Sequence, residues 1–316
     1  MTTLERLIRK FEYDNYILKI KEKTLLRRNQ ELNYHMKLAN ERYHRCENKK
    51  SKSQIKKEMN LCKNYWKCNP FHYLFYDLYD ATYNLTDHQL INYIPFFFWY
   101  DIFHRYHIPT RVSILVDNKL ITEQMFRSLG ISQPETLFKL IDGHFYSDTM
   151  QKLQFDDIQG KISDNNWSKI FVKPAMGLGA YGTYVFKRNE DGLYITKDNI
   201  VFTEAFLNEI GIKQDYIVQP GVEQHHKMSE IYPHSINTFR VMTEYKDGSA
   251  EVLCAFLRIG RGGADTDNAS QSGIITGINT DTGELNNFAM SYYSREYFQR
   301  HPDTGFAFKN FNDNIW

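Results

Sequence analysis

Neither glycine nor proline occurs between Thr3 and Lys67, and the whole chain of 316 residues holds only eight prolines. With those two breakers missing, nothing in the segment interrupts a helical backbone, and a turn-rich start is excluded. Cysteine is scarce as well. The four thiols, Cys46, Cys62, Cys68 and Cys254, form no C-x-x-C pair and lack the density of a disulfide scaffold. Cys46, Cys62 and Cys68 lie near His44 and His72, but their spacings match no common zinc pattern, so buried or inert thiols are expected. No apolar run approaches the ~20 residues that span a bilayer. The most apolar stretch, 93–103, contains Pro95 and Asp101 and reads as a buried segment. The first residues carry scattered charge and no apolar core, which excludes a secretory signal and predicts a cytoplasmic location. The P-loop pattern, internal repeats and low-complexity tracts are also missing.

What the chain does have is aromatic and hydrophobic residues, at 15% and 42%, enough for a packed globular core. Its net charge of +1 conceals an asymmetry: residues 1–67 carry 18 Lys/Arg against 8 Asp/Glu, and the remainder is acidic. In this first segment Leu4, Leu7, Ile8, Phe11, Ile17, Leu18, Leu25 and Leu32 recur at near-helical spacing, predicting one or two long amphipathic helices with a break at 47–53, ENKKSKS. Two roles stay open for it. One is a basic arm that touches acidic membrane lipid or an anionic glycan, at the inner face of the membrane. The other is a solvated helical hairpin packed on the body or on a second subunit, making an oligomer. Nucleic acid is not expected as a partner, because no recognisable module accompanies the charge. Residues 68–110 are aromatic-rich, with Phe71, Tyr73, Phe75, Tyr76, Tyr79, Tyr93 and Trp99 among them. Such density predicts a packed helical core, with a stacking platform for sugar rings as the alternative.

From 111 to 316 the texture changes to short apolar runs between turn signals, as in an α+β region. VSILVDNK reads as a strand and turn, ITEQMFRSLG as a helix ended by Gly130, and SQPETLFKLIDG as a strand entered through Pro134. Strands follow at 169–173 and 182–187. The runs NTFRVMTEY and AEVLCAFLRIG face each other across Lys246-Asp247-Gly248, and Asp-Gly at the tip predicts a hairpin.

The chemistry concentrates in 171–182, FVKPAMGLGAYG. A strand delivers Lys173, and three glycines then let the backbone approach an anion and aim N–H groups at phosphate oxygens. The glycines lie between two predicted strands rather than at the start of a helix, so this is not a dinucleotide fingerprint. An ordinary tight turn is the alternative.

The order of parts resembles an ATP-grasp protein: Asp117-Asn118-Lys119, a helix ending in Leu129-Gly130-Ile131, the strand after Pro134, FVKP with its glycine loop, Ile217-Val218-Gln219-Pro220, then the paired strands. The wording VQPGVEQHHKMSEIYPHSINTFRVMTEYKDG and LRIGRGGADTDNASQSGIITGINTDTGEL is similar to the sugar-transfer-associated ATP-grasp family, over about 70% of the chain. The resemblance implies two α+β subdomains whose antiparallel sheets clamp ATP. It implies that Lys173 holds the nucleotide phosphates, that Gly177, Gly179 and Gly182 frame the loop over them, and that Lys119 is a second phosphate contact. Val218 and Gln219 fall in the hinge that reads adenine, and Glu223 is either a ribose contact or a surface turn residue. Arg240 and Arg258, planar forks on neighbouring strands, are expected at the γ-phosphate and acyl phosphate, together with Asn237. Asp267, Asn268 and Gly273 are expected in a loop beside the substrate. His225 and His226 are expected to be structural.

The resemblance further implies ATP and Mg²⁺ as cofactors. It also implies a carboxylate and an amine joined as an amide through an acyl phosphate, on a precursor of a cell-surface polysaccharide. A kinase, or a nucleotide-binding scaffold without turnover, is the alternative. One departure stands out: an Asp on one strand and Glu-x-Asn on the next, which hold magnesium in such ligases, are not found after Gly283, and truncation is the expected reason. The metal ligands are therefore unknown.

Overall fold

The computed structural model describes residues 25–95, 98–99, 110–177, 180–269, 272–292 and 294–311. The chain divides into two compact units, Met1–Pro109 and Thr110–Trp316.

In the first unit, α1 (Leu25–Arg45) and α2 (Lys52–Trp66) are the expected helices, broken at the polar 46–51. Ser51 caps α2 by accepting the N–H of Gln54 at 3.2 Å. Two short helices follow, α3 (Phe71–Phe75) and α4 (Asp87–Ile91), the latter opened by a Thr86/Gln89 capping box. Tyr73, Leu78, Tyr79 and Leu90 are buried with Ile55 and Cys62 in one cluster, so the aromatic residues described here form a core. Buried Glu58 is held there by Tyr73, which donates to it at 2.5 Å, and by Lys50 at 3.0 Å. Burial alone would raise its carboxyl, yet the hydrogen bonds from Tyr73, Gln54 and Lys50 outweigh burial and hold it below the usual range. Residues 1–24, with the first apolar positions, and most of 96–109 lie outside the described residues.

The second unit opens with α5 (Thr110–Asp117) and α6 (Lys119–Ser128). VSILVDNK was expected as a strand and is helical. Its β-branched run is too short to fix a strand without a pairing partner, and β propensity yields to context. Asn118 separates the two helices and caps α6, accepting the N–H groups of Leu120 and Ile121. The helix stops at Leu129, and Gly130 takes φ +67.

Eleven strands build two antiparallel sheets among the described residues. The first contains β1 (Phe138–Ile141), β2 (His144–Tyr146), β3 (Lys169–Pro174), β4 (Tyr184–Arg188), β5 (Tyr194–Ile195) and β6 (Tyr216–Pro220), in the order β2-β1-β6-β3-β4-β5. Helices α7 (Phe155–Asn165) and α8 (Glu204–Gly211) bury Ile158, Ile162, Leu207 and Ile210 in the same core as Ile170, Val172, Phe186 and Val218 from the strands. One face of the sheet is therefore spent on packing. The alternate residues of β3, Lys169, Phe171 and Lys173, belong to the other face.

After α9 (His226–Ile231), the second sheet contains β7 (Thr238–Lys246), β8 (Ser249–Ile259), β9 (Ile274–Ile278), β10 (Ala289–Ser291) and β11 (Tyr297–Phe298), in the order β11-β10-β9-β8-β7. The β7–β8 hairpin turns through Asp247 at φ +52 and Gly248 at φ +85, as Asp-Gly predicts. Leu257, Ile259, Ile274 and Phe308 pack with Ile231 and Tyr232 as a separate core. Among the described residues no helix is long and apolar enough to cross a membrane.

Candidate functional site

A cleft of about 810 Å³ is lined by Lys119 and by residues of both sheets, including Lys169, Lys173, Arg240 and Arg258. Each cation arrives on a different piece of local structure. Lys173 projects from β3, beside β6, and its Nζ donates to Oε1 of Gln219 at 2.9 Å. Lys119 begins α6, where a positive charge opposes the helix dipole and no acid stands in the first turn. Its Nζ donates to the carbonyls of Pro174 and Gly177, at 2.9 and 3.0 Å, so it grips the base of the glycine loop. The helix behind it is anchored by a buried ion pair, Lys139 to Glu123 at 2.7 Å, with Arg127 bonding the other oxygen of Glu123 at 2.6 Å.

Arg240 and Arg258 come from the hairpin. Arg240 pairs with Phe256, and Thr238 with Arg258, which sets both guanidinium groups on one face as diagonal neighbours. Arg258 makes a two-pronged contact with Asp267, at 2.8 and 3.3 Å. Arg240 has no hydrogen bond or ion pair among the described residues, and burial followed by the charge of Arg258 lowers its pKa.

Burial first, and then the charge of Lys119, push the ammonium of Lys173 down to about 8. Burial also lowers Lys119. Lys119 and Lys173 thus face one cleft with no acidic partner among the described residues, and Arg240 feels Asp267 only through its charge. Like charges held together at a desolvation cost are chemically able to receive an anion.

The glycine loop is formed as expected where it is described. Gly177 and Gly182 take φ +154 and +71, and a Cβ on Gly182 would come within 3.1 Å of the Pro174 ring. Gly177 lines the cleft, as do Ala180 and Thr183, whereas Gly179 lies outside the described residues. Glu223 and Asn268 line the cleft too.

Other expected residues are placed differently. The side chain of Val218 lies in the core of the first sheet. Its carbonyl accepts the N–H of Leu137 at 2.9 Å, and β6 has neighbours on both edges, so its backbone is already committed. The stretch facing the cleft begins beyond it, at Pro220 and Gly221, and runs to Gln224. Gln219 is buried, bonded to Lys173 and, at 3.4 Å, to the carbonyl of Pro134. Asn237 was expected beside Arg240, yet its amide donates to the carbonyls of Met228 and Tyr232 at 2.7 and 3.2 Å. The physical reason is parity: 237 stands an odd number of positions from 240, so it belongs to the opposite face. Asp267 does line the cleft, buried against Arg258, whereas Gly273 is a packing glycine, where a Cβ would meet the Asp267 carbonyl at 2.6 Å. His225 and His226 lie with ring centroids 4.2 Å apart and planes tilted by 37°, and neither lines the cleft.

Three residues escaped the sequence reading. Lys169 shares the face of Lys173 on β3, a period-two signal that was available. Asp265 accepts from Lys169 at 2.8 Å and from Lys187 at 2.9 Å, tying the loop after β8 to the first sheet. Burial alone would raise its carboxyl, and the bonds from Lys169 and Lys187 instead bring it below the usual range. Ser235 is buried at the cleft wall with no partner for its hydroxyl among the described residues. Neither Asp265 nor Ser235 carries a spacing signal.

Two antiparallel sheets that hold a lysine- and arginine-lined cleft, one of them supplying a glycine hairpin, define the ATP-grasp class. The sugar-transfer associated ATP-grasp family model matches residues 101–316, and the chain belongs to that family. No curated protein matches the chain. Among solved structures it is similar to D-alanyl-alanine synthetase A from Vibrio cholerae O1 biovar eltor, with 13% identity and a TM-score of 0.28, covering 54% of each chain. The chain thus spans about half the length of the solved structure it matches.

Proposed function

We propose that the cleft binds the triphosphate of ATP and that the protein is a carboxylate–amine ligase serving cell-surface polysaccharide synthesis in the cytoplasm, at the inner face of the membrane. The observation that carries the reading is the convergence of Lys119, Lys173 and Arg240, none in a hydrogen bond or ion pair with an acid among the described residues, on one cleft with Arg258 and the glycine loop. Four cations match a polyphosphate in charge, and the loop can cover it.

In the reaction, a substrate carboxylate oxygen attacks the γ-phosphorus as the bond to the β-phosphate oxygen breaks, and ADP leaves with that electron pair. An amine nitrogen then attacks the acyl carbon, phosphate leaves, and the amine proton passes to solvent or phosphate. Lys173 and Lys119 hold phosphate oxygens, while Arg240 and Arg258 stabilise charge on the transferring group. Arg258 exchanges Asp267 for phosphate oxygens. Pro220 to Gln224 take the base, and Glu223 the ribose hydroxyls. Asn268 borders the substrate. Magnesium, where bound, would neutralise phosphate charge. Among the described residues no group of three or more His, Cys, Asp or Glu could hold a metal, so no ligand on this chain is assigned to it and no step runs through it.

The test is turnover of ATP in the presence of candidate carboxylates and hydroxylamine. Trapping of an acyl hydroxamate together with ADP is expected. A stable phosphorylated product with no amine consumed would make the protein a kinase. ATP binding without turnover would make it a scaffold.

A further inference from the structure

A second chamber, of about 850 Å³, adjoins the cleft and shares Ala180, Thr183, Asp265 and Thr266 with it. Its volume lies within the roughly 300 to 1,000 Å³ usual for small-molecule sites. Val185 of β4 and Ile195 of β5 supply an apolar strip, and Gly262 and Gly263 lie opposite. Both glycines take positive φ, +64 and +72, and a Cβ on either would meet nothing within 4 Å, so the space before them is open.

The rim is polar; Lys187 and Asp265 are paired across it at 2.9 Å, and part of the remaining capacity is unspent among the described residues. The side chains of Thr183, Lys197 and Asp198 have no hydrogen bond or ion pair among the described residues. Buried Thr196 accepts the N–H groups of Asp198 and Ile200, at 3.3 and 3.1 Å, which leaves its hydroxyl hydrogen to donate. The one aromatic residue at the chamber, Tyr184, packs edge-on against Phe206 with centroids 5.0 Å apart. A base or aromatic ligand would therefore find no ring to stack on. An apolar strip with hydroxyl, ammonium and carboxylate groups at its rim instead suits a saturated ring with C–H groups on its face and hydroxyls round its edge.

We infer that this chamber seats a sugar ring, and that the ring bears the carboxylate which the adjoining cleft activates: the substrate class is a sugar acid. The carboxylate half rests on the ligase reading, because the activated group must reach the phosphates through the shared opening at Thr183 and Asp265. The ring half rests on the chamber alone.

The experiment is saturation-transfer NMR on the full chain with the ATP analogue AMP-PNP, using D-glucuronate and L-glutamate as probes and calorimetry to follow the nucleotide. Saturation of the glucuronate ring protons is expected. It should fall by about tenfold in Lys197→Met/Asp198→Ala, whose two side chains are exposed, while AMP-PNP affinity is unchanged. That retained affinity also shows the variant to be folded. Asp198→Ala alone, at a position that lines the chamber and not the cleft, supplies a second variant with the same expectation. Glucuronate left unsaturated, or saturated equally in all variants, would overturn the inference and leave the nucleotide reading intact. Saturation of glutamate alone would overturn the sugar ring. Failure of the wild-type chain to bind AMP-PNP would remove the nucleotide reading, and with it the carboxylate half.

Discussion

At Lys173 the ammonium is bonded to an amide oxygen, and its burial together with the charge of Lys119 holds its pKa at about 8. A phosphate anion raises that value again, so binding ATP above pH 8 requires taking up a proton. The sign follows: the apparent Kd for ATP rises as pH increases from 7 to 9, by up to about tenfold per unit above the pKa. Calorimetry in buffers of different ionisation enthalpy should record proton uptake at pH 8.5, and Lys173→Arg should flatten the profile, since arginine stays charged. A flat wild-type profile would take Lys173 out of the phosphate site. His72 makes a similar argument for stability. It is buried, neither ring nitrogen has a partner among the described residues, and burial lowers its pKa to about 4. A folded-state pKa below the unfolded value means stability that is complete above about 6.5 and is lost as pH falls towards 4. Between pH 7 and 5 the chain should lose about 2 kcal/mol through this residue, and His72→Phe should reduce that loss in a urea titration.

Elements were legible where a local rule decides them. The β7–β8 hairpin follows from two alternating runs about Asp-Gly, and α2 from a breaker-free basic segment with Ser51 at its start. The glycine loop follows from strand, glycines and strand. Less legible was whatever needs a distant partner: α5, a β-branched run with no strand beside it, and Asp265, which meets Lys169 across 96 positions. Asn237 was misplaced for a different reason, since its parity on β7 was readable and placed it away from Arg240. The loop carrying Asp267 offers a test of how closely an element must be packed to hold the site. A methyl group on Gly273 would overlap the carbonyls of Asp267 and Asn268, at 2.6 and 2.9 Å, and backbone cannot swing aside as a side chain can. Gly273→Ala should cost about 1 to 3 kcal/mol in denaturant unfolding and release Asp267 from Arg258, weakening ATP binding. Loss of stability with ATP affinity intact would show the loop to be packing alone.

On the scale of the molecule, every side chain brought into the cleft comes from the second unit, from Lys119 to Asn268. The unit has its own two cores, one beneath each sheet, and its own ionic tie through Asp265. The basic first unit has a separate core built on Tyr73, Leu78, Tyr79 and Leu90. For the excess of basic residues in 1–67 we propose contact with an anionic surface, with a second copy of the chain as the alternative. The consequence for binding is direct. Residues 110–316 produced alone should take up ATP with a Kd within a few-fold of the full chain, by calorimetry, while retention on vesicles of anionic lipid should be lost. Vesicle binding by the full chain should weaken as salt shortens the Debye length from about 10 Å at 0.1 M to 3 Å at 1 M, because exposed lysines and arginines act through a screened field. ATP binding in the enclosed cleft should respond less. A fragment that folds cooperatively but no longer binds ATP would show that the first unit completes the site, and a fragment still held by anionic vesicles would move the membrane contact to the second unit.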